Sequence, residues 1–542
     1  MLGASVLLTV AVAVQAVFGS PIKSRTAYAV KETHRVPRRW QKMGRAPADK
    51  MLNLQIGVKQ GQFDELERHL YEGTWAPLCD WVESPCNRGI EADWEKPPVS
   101  DPSHSRYGQH LSYEEVNELI KPTDDALDLV HEWLEANGIV YVSYSPSMDW
   151  INIDMDVATA ERLLDTEYYT FQHEDGTEMV RAPEWSLPKH LHEHVDAIQP
   201  TTSFMRKVKR ADVADTPIPW PYPGLHNPTS PGLKKVCTIN GTTPDCFSTL
   251  YQTAGYVQKA AGKNNIGFNN FLGEIPIRPD TKQFLGRYRP DAVAGASEYK
   301  FVDINGGPSQ DGGLTPAQAA SGISVEANLD VQTIIGMTYP MPVTAFSTNG
   351  TPPETGDAAA GDPPGNEPYL IWLNYVLGQE DLPQVISTSY GDDEQTVPRD
   401  YARRVCNGFA QLGARGISIL FSSGDGGVGD AAGNDGSVCI SNDGKNTTEF
   451  LASFPPSCPY VTAVGATQGF EPETAALRPA NSLGPDGKVH GFYASGSGFS
   501  KYFYRPSYQD NVVPAYVKSL NGEHKGLFNP RKHLSIPRLS IS

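Results

Sequence analysis

Basic residues are in short supply in this chain. Its 542 residues carry 45 Lys and Arg against 63 Asp and Glu, a formal net charge of −18. That balance argues against nucleic acid and against an anionic membrane surface as partners. Long apolar runs are scarce as well. Only Leu2 to Phe18 approaches one, interrupted by Gly3, Ser5, Thr9 and Gln15. It is at the short limit for a bilayer span and leads into the small residues Gly19 and Ser20, so it reads as a cleaved secretory signal over residues 1–19. No later stretch is apolar for long enough to cross a membrane. Cysteine is sparse too, at seven, and the odd number is unexpected in an oxidising compartment. Cys79 with Cys86, and Cys237 with Cys246, are the local pairs. Cys406, Cys439 and Cys458 remain, and at least one of them lacks a partner in the chain.

Secretion is consistent with three N-glycosylation sequons, at Asn240, Asn349 and Asn446. All three fall after residue 210, and the chain divides near there. Residues 50–200 read as a small α+β unit of ferredoxin-like type. Ser112-Tyr113-Glu114-Glu115 is a capping box, and Thr123 caps a second helix with Ala126, Leu127, Val130, Trp133 and Leu134 on one face. Ile151 to Val157 alternates as a half-buried strand does. Residues 197–235 hold seven prolines and the basic run Arg206-Lys207-Val208-Lys209-Arg210, a linker with a candidate processing site. Beyond it, buried strands alternate with helices: Val385–Ser389, Pro398–Leu412 ended by Gly413, Ile417–Phe421, Tyr460–Val464. This rhythm predicts an α/β domain, a parallel sheet with helices on both faces.

The chemistry-bearing residues lie in that second region. Glu326 and Asp330 are four apart, so on a helix they share a face one turn from each other. Two carboxylates aimed at one point can share a proton, which suits general acid/base work under acidic conditions. Asp425, in Ser423-Gly424-Asp425-Gly426-Gly427, follows a strand, as does Ser389-Tyr390-Gly391. Ligands on parallel sheets bind at such carboxyl ends. Two other motifs read as incidental. His190-Leu191-His192-Glu193-His194 matches a zinc-peptidase pattern but sits just before the linker, where a polar element end is expected. Ser495-Gly496-Ser497-Gly498 lacks the glycine spacing of a nucleophile elbow and reads as a glycine-rich turn.

Taken together, the chain resembles the sedolisins, the serine-carboxyl peptidases. In the first region the resemblance rests on Ser100-Asp101-Pro102-Ser103-His104, Tyr107 to Ser112, Trp133-Leu134 and Val195 to Thr202. In the second it rests on Glu326 and Asp330, Ser387 to Gly391, Ser422 to Gly427, Gly498-Phe499-Ser500, Phe503 and Arg505 to Gln509. It implies a subtilisin-like peptidase domain over 211–542, preceded by a pro-region over 20–210. Glu326 would be the general base for a serine, oriented by Asp330, and Asp425 the protonated acid facing the oxyanion. Ser389, Tyr390 and Gly391 would pair with the substrate backbone. A secreted peptidase releasing tripeptides from polypeptides at acid pH is implied. Its pro-region would serve as intramolecular inhibitor and chaperone, and the protein would otherwise be a monomer with neither nucleic acid nor membrane as partner.

The family's nucleophile lies in a Ser-Gly-Thr-Ser-x-Ser motif, and these 542 residues contain none. After Lys525 to Pro530 the sequence passes into the basic tail Arg531 to Ser542, which has no family feature. Calcium, implied for complete relatives, would have its site in the same missing part, so no metal site is expected here. The reading is therefore a peptidase domain incomplete at its C-terminus, with a non-catalytic secreted pseudoenzyme or peptide binder as the alternative and a zinc metallopeptidase as a third class.

Overall fold

The structure is a computed structural model. It describes residues 26–71, 107–204, 225–349, 368–431, 437–480, 482–483 and 489–535, apart from 175, 177 and 261. The signal segment, the Cys79 and Cys86 pair, the basic linker cluster and the last seven residues lie outside these.

The first unit is built on an antiparallel sheet in the order Ser143–Tyr144, Trp150–Asp156, Met51–Val58, Val195–Gln199. Alternation does what the sequence predicted along Trp150–Asp156, where Ile151, Ile153 and Met155 are buried; they share a core with Leu52, Leu54, Ile56 and Val58 of the next strand and with Val195 and Ile198. Helices Asp124–Ala136 and Val157–Leu164 cover that face with Leu127, Val130, Leu134, Leu163 and Leu164. The predicted caps are present. Ser112 Oγ accepts from the Glu115 amide at 3.1 Å while Glu115 returns a bond to the Ser112 amide at 2.7 Å, and Thr123 Oγ1 accepts from Ala126; each such cap is worth roughly 1 kcal/mol. The unit also takes in residues before 50. Strand Tyr28–Thr33 pairs with Glu184–Pro188, and Trp40–Arg45 pairs with Tyr169–His173.

The second unit is a six-stranded, wholly parallel sheet in the order Lys300–Ile304, Val343–Thr348, Ile266–Asn270, Val385–Thr388, Ser418–Ser422, Thr462–Val464. One face packs Phe268, Val343 and Ala345 against Leu285 of helix Arg278–Tyr288 and Val331 and Ile335 of helix Val325–Thr338. The other packs Phe346, Ile386, Ile419 and Phe421 against helices Pro368–Leu377 and Arg399–Ala414. Helices on both faces were expected. The chain's first strand of the sheet lies inside it, and the strand order reverses between Ile266–Asn270 and Val385–Thr388. Such a switch point opens a crevice at the carboxyl ends.

Three details differ from expectation or settle it. Helix Arg399–Ala414 runs one residue past Gly413, and the glycine with positive φ that follows it is Gly416. Cys237 bonds Cys246 as read from spacing, Cys406 bonds Cys458, and Cys439 stays a free thiol. The tail that looked featureless forms strand Lys532–Ser535 against Gly498–Tyr504, burying Leu534 beside Phe499 and Val513. No described helix is long and apolar enough to cross a membrane.

The units meet along helix Arg399–Ala414. Arg404 Nη2 donates to Asp149 Oδ2 at 2.7 Å and to the Asp149 carbonyl at 2.8 Å, with the two side chains only 1% and 3% exposed. Burial alone would push the Asp149 carboxyl up. Arg404, with hydrogen bonds from Ser145, Ser147 and Gln60, instead holds it below its ordinary value. Leu66, Leu70, Val116 and Ile120 pack on Ala410 and Ala414, and Tyr71 stacks on Tyr460 with centroids 5.6 Å apart.

Candidate functional site

Helix Val325–Thr338 begins beside the crevice, and its first turns carry Glu326 and Asp330. Asp330 is the best defined of the acids. Its Oδ1 accepts a hydrogen bond from Ser389 Oγ at 3.1 Å. Its Oδ2 is buried and has no hydrogen-bond partner among the described residues. Burial first, then the charge of Glu326, push its carboxyl up to about 8; Ser389 pulls the other way, and Glu274 adds a little more. One acid of this group therefore keeps its proton well into the neutral range.

Glu274 was not singled out in the sequence. It is 3% exposed, in the turn after strand Ile266–Asn270, where Leu272 and Gly273 both take positive φ. Its Oε2 accepts from the Ala327 amide at 3.3 Å. It thus sits at the N-terminus of the helix that holds the other two acids, where free amides and the helix dipole favour a negative group. Its only signal in the sequence is position: a carboxylate just beyond a strand's carboxyl end.

Ser389 and Tyr390 follow strand Val385–Thr388, next to Ile266–Asn270 in the sheet. Tyr390 is buried, its ring 5.1 Å from Phe271 and its carbonyl accepting from Tyr369 Oη at 2.5 Å. Burial, then Glu274, Asp330 and Glu326, raise its phenol well above the ordinary value. So Glu274, Glu326, Asp330, Ser389 and Tyr390 form one cluster, assembled from two strand ends and one helix start.

Asp425 stands on the next strand end, after Ser418–Ser422, and is exposed. It is not among the groups that perturb Asp330. Its loop is fixed by the segment that superficially looks like a nucleophile turn. Ala494 N donates to the Asp425 carbonyl at 2.8 Å, Gly427 N to Ala494 at 3.1 Å, Gly496 N to Gly424 at 2.8 Å and Ser497 N to Gly427 at 2.9 Å. Gly496 is obligatory in this strap, since a Cβ there would lie 1.9 Å from the Ser423 carbonyl oxygen. Ser500 is a structural serine. It is buried, donates to Glu394 Oε1 at 2.6 Å and accepts from the amides of Tyr502 and Phe503.

The histidines of the zinc-like motif lie in the first unit. His190 Nδ1 is 2.7 Å from Thr26 Oγ1, and His192 Nε2 is 3.2 Å from the carbonyls of Ala29 and Leu187. Among the described residues no three His, Cys, Asp or Glu side chains are grouped to hold a metal ion. Asn240 and Asn446 are exposed, and Asn349 follows strand Val343–Thr348.

The comparisons with known proteins bear on both units. Residues 97–204 match the family described as the Pro-kumamolisin activation domain. Tripeptidyl-peptidase SED2 of Arthroderma otae is 37% identical over 439 residues, which is 80% of this chain and 67% of that protein. Probable tripeptidyl-peptidase SED3 of Arthroderma benhamiae is 36% identical over 82% of this chain and 68% of its own length. A solved Pseudomonas sedolisin, a serine-carboxyl proteinase complexed with two molecules of pseudo-iodotyrostatin, aligns at 21% identity and a TM-score of 0.34. That alignment covers 56% of this chain and 70% of that one.

Proposed function

The chain belongs to the sedolisin family, and from that premise we propose that it is a secreted pro-enzyme whose peptidase unit is built to release tripeptides from polypeptide N-termini at acid pH. The observation that supports this most is the pair of acids one turn apart on helix Val325–Thr338. Asp330, raised to about 8 beside Glu326, retains a proton under conditions in which an ordinary carboxyl has lost its own. Glu326 would take the proton of an attacking serine hydroxyl, and Asp330 would hold Glu326 in place. Asp425, protonated, would donate to the oxyanion that forms when the carbonyl is attacked. A carboxylate base must be ionised and a carboxylic donor protonated, and both conditions hold together only at acid pH. The strand end Ser389-Tyr390-Gly391 would pair with the substrate backbone. The first unit would act as inhibitor and chaperone, clamped through Arg404 and Asp149.

The 542 residues contain no Ser-Gly-Thr-Ser-x-Ser motif. They would therefore supply the acid–base machinery and not the nucleophile, and the polypeptide alone should not hydrolyse peptides. That same observation favours a second reading, a peptide binder without turnover. A chimera distinguishes them. Residues 1–530 joined to the C-terminal part of the Arthroderma otae relative should release tripeptides at about pH 4 and stop doing so with Glu326→Gln. A folded chimera that binds peptides without cleaving them would support the binder.

A further inference from the structure

Ser389 and Tyr390 present their side chains to the acid pair, in addition to the backbone they would offer a substrate. Ser389 Oγ donates to one oxygen of Asp330 at 3.1 Å. The other oxygen of Asp330 is buried without a partner, and the phenol of Tyr390, the neighbour of Ser389 in sequence, is buried too, with no acceptor among the described residues for its proton. The Phe271 amide lies close enough to favour the ionised phenol, but an amide N–H cannot take up a phenol proton. A buried donor and a buried acceptor that both lack partners, within one small cluster, are costly unless they serve each other at some stage of protonation.

We propose that Ser389 and Tyr390 are positioning residues that control, through their two hydroxyls, the proton held by Asp330. The inference rests on the reading of Glu326 and Asp330 as the acid pair. The groups facing Asp330 are Glu326 on its own helix, Glu274 from the turn after Ile266–Asn270, and Ser389 and Tyr390 from the end of Val385–Thr388. No cation is among them, so hydroxyl donors are the local means of stabilising the ionised form. Ser389 acts in that direction already, and Tyr390 would do the same once Asp330 loses its proton and needs a second donor. Because both residues sit at the strand end that would bind a peptide backbone, the state of that edge reaches the acid pair through two side chains.

The test uses the intact 542-residue chain and needs no turnover. Aspartate labelled with carbon-13 in its carboxyl group gives a resonance assignable to Asp330 by its loss in Asp330→Asn, and its pH titration reads the proton affinity directly. Ser389→Ala and Tyr390→Phe should each raise that affinity about tenfold, the usual order for losing a donor to a charged oxygen. Ser389→Thr, which keeps a hydroxyl, should titrate with the parent. If both hydroxyl-deleted variants also titrate with the parent, the hydroxyls are structural and the inference fails while the acid pair stands. If Asp330 of the parent titrates in the ordinary carboxylate range, the acid-pair reading itself is overturned and this inference with it.

Discussion

Asp330→Asn should make the protein more stable, and the gain should grow with pH. The amide keeps an oxygen for Ser389 and cannot ionise. In the parent, burial and the charge of Glu326 push the folded carboxyl from its ordinary value of 3.8 up to about 8. A raised acid binds its proton more tightly in the folded state. Below the unfolded value both states are protonated and nothing is lost. As pH rises above 3.8 the unfolded chain releases the proton first, and folding is penalised by about 1.4 kcal/mol per pH unit until the folded value is passed. At pH 7 the interval is about 3.2 units, which corresponds to about 4 kcal/mol. Only one oxygen of this half-buried residue is out of contact with solvent, so screening lowers that figure. Urea unfolding followed by tryptophan fluorescence, run on parent and variant from about pH 4 to about pH 8, isolates the effect. Contributions from the first unit are common to both proteins and cancel in the difference. A difference that widens steadily with pH supports a buried proton on Asp330. Parallel curves across the whole range would refute it, since a carboxyl that titrates normally contributes no slope.

Three further outcomes are expected. In the chimera, Glu326→Gln should abolish turnover with circular dichroism unchanged, whereas Asp330→Asn should reduce it less, as steady-state kinetics would show. Arg404→Ala leaves Asp149 buried without its cation, a loss of about 3–5 kcal/mol; after proteolysis in the linker the two units should separate on gel filtration, where the parent's units co-elute. A fragment of residues 50–204 should melt below one of residues 26–204, because it lacks the strands that pair with Glu184–Pro188 and Tyr169–His173, and differential scanning calorimetry reads this directly.

Much of the fold was legible because its signals are local. Helix caps at Ser112 and Thr123 depend on residues three apart, and the strand around Ile153 on strict alternation. The Glu326 and Asp330 pair was legible for the same reason, one helical turn. Glu274 was not, because its role comes from a turn that brings it to a helix start some fifty residues later, and a lone buried carboxylate leaves no periodic trace. The side-chain role of Tyr390 was hidden in the same way. Gly413 misled as a helix stop because the glycine that turns the chain out of the helix, with positive φ, is Gly416, three residues on. The pairing of Lys532–Ser535 escaped notice because four residues with two basic or imidazole side chains do not read as a strand until a neighbour buries Leu534.

Helix Arg399–Ala414 has the sheet on one side and the first unit on the other. Tyr401, Val405, Phe409 and Leu412 answer to the sheet, and Arg404, Ala410 and Ala414 to the first unit. With obligations on opposite sides, the helix has little surface free to drift. A substitution that suits one neighbour is tested at once by the other. The first unit is therefore not an interchangeable cassette: transplanting it between relatives requires its counterpart helix to travel with it, and inheritance of the two should be joint.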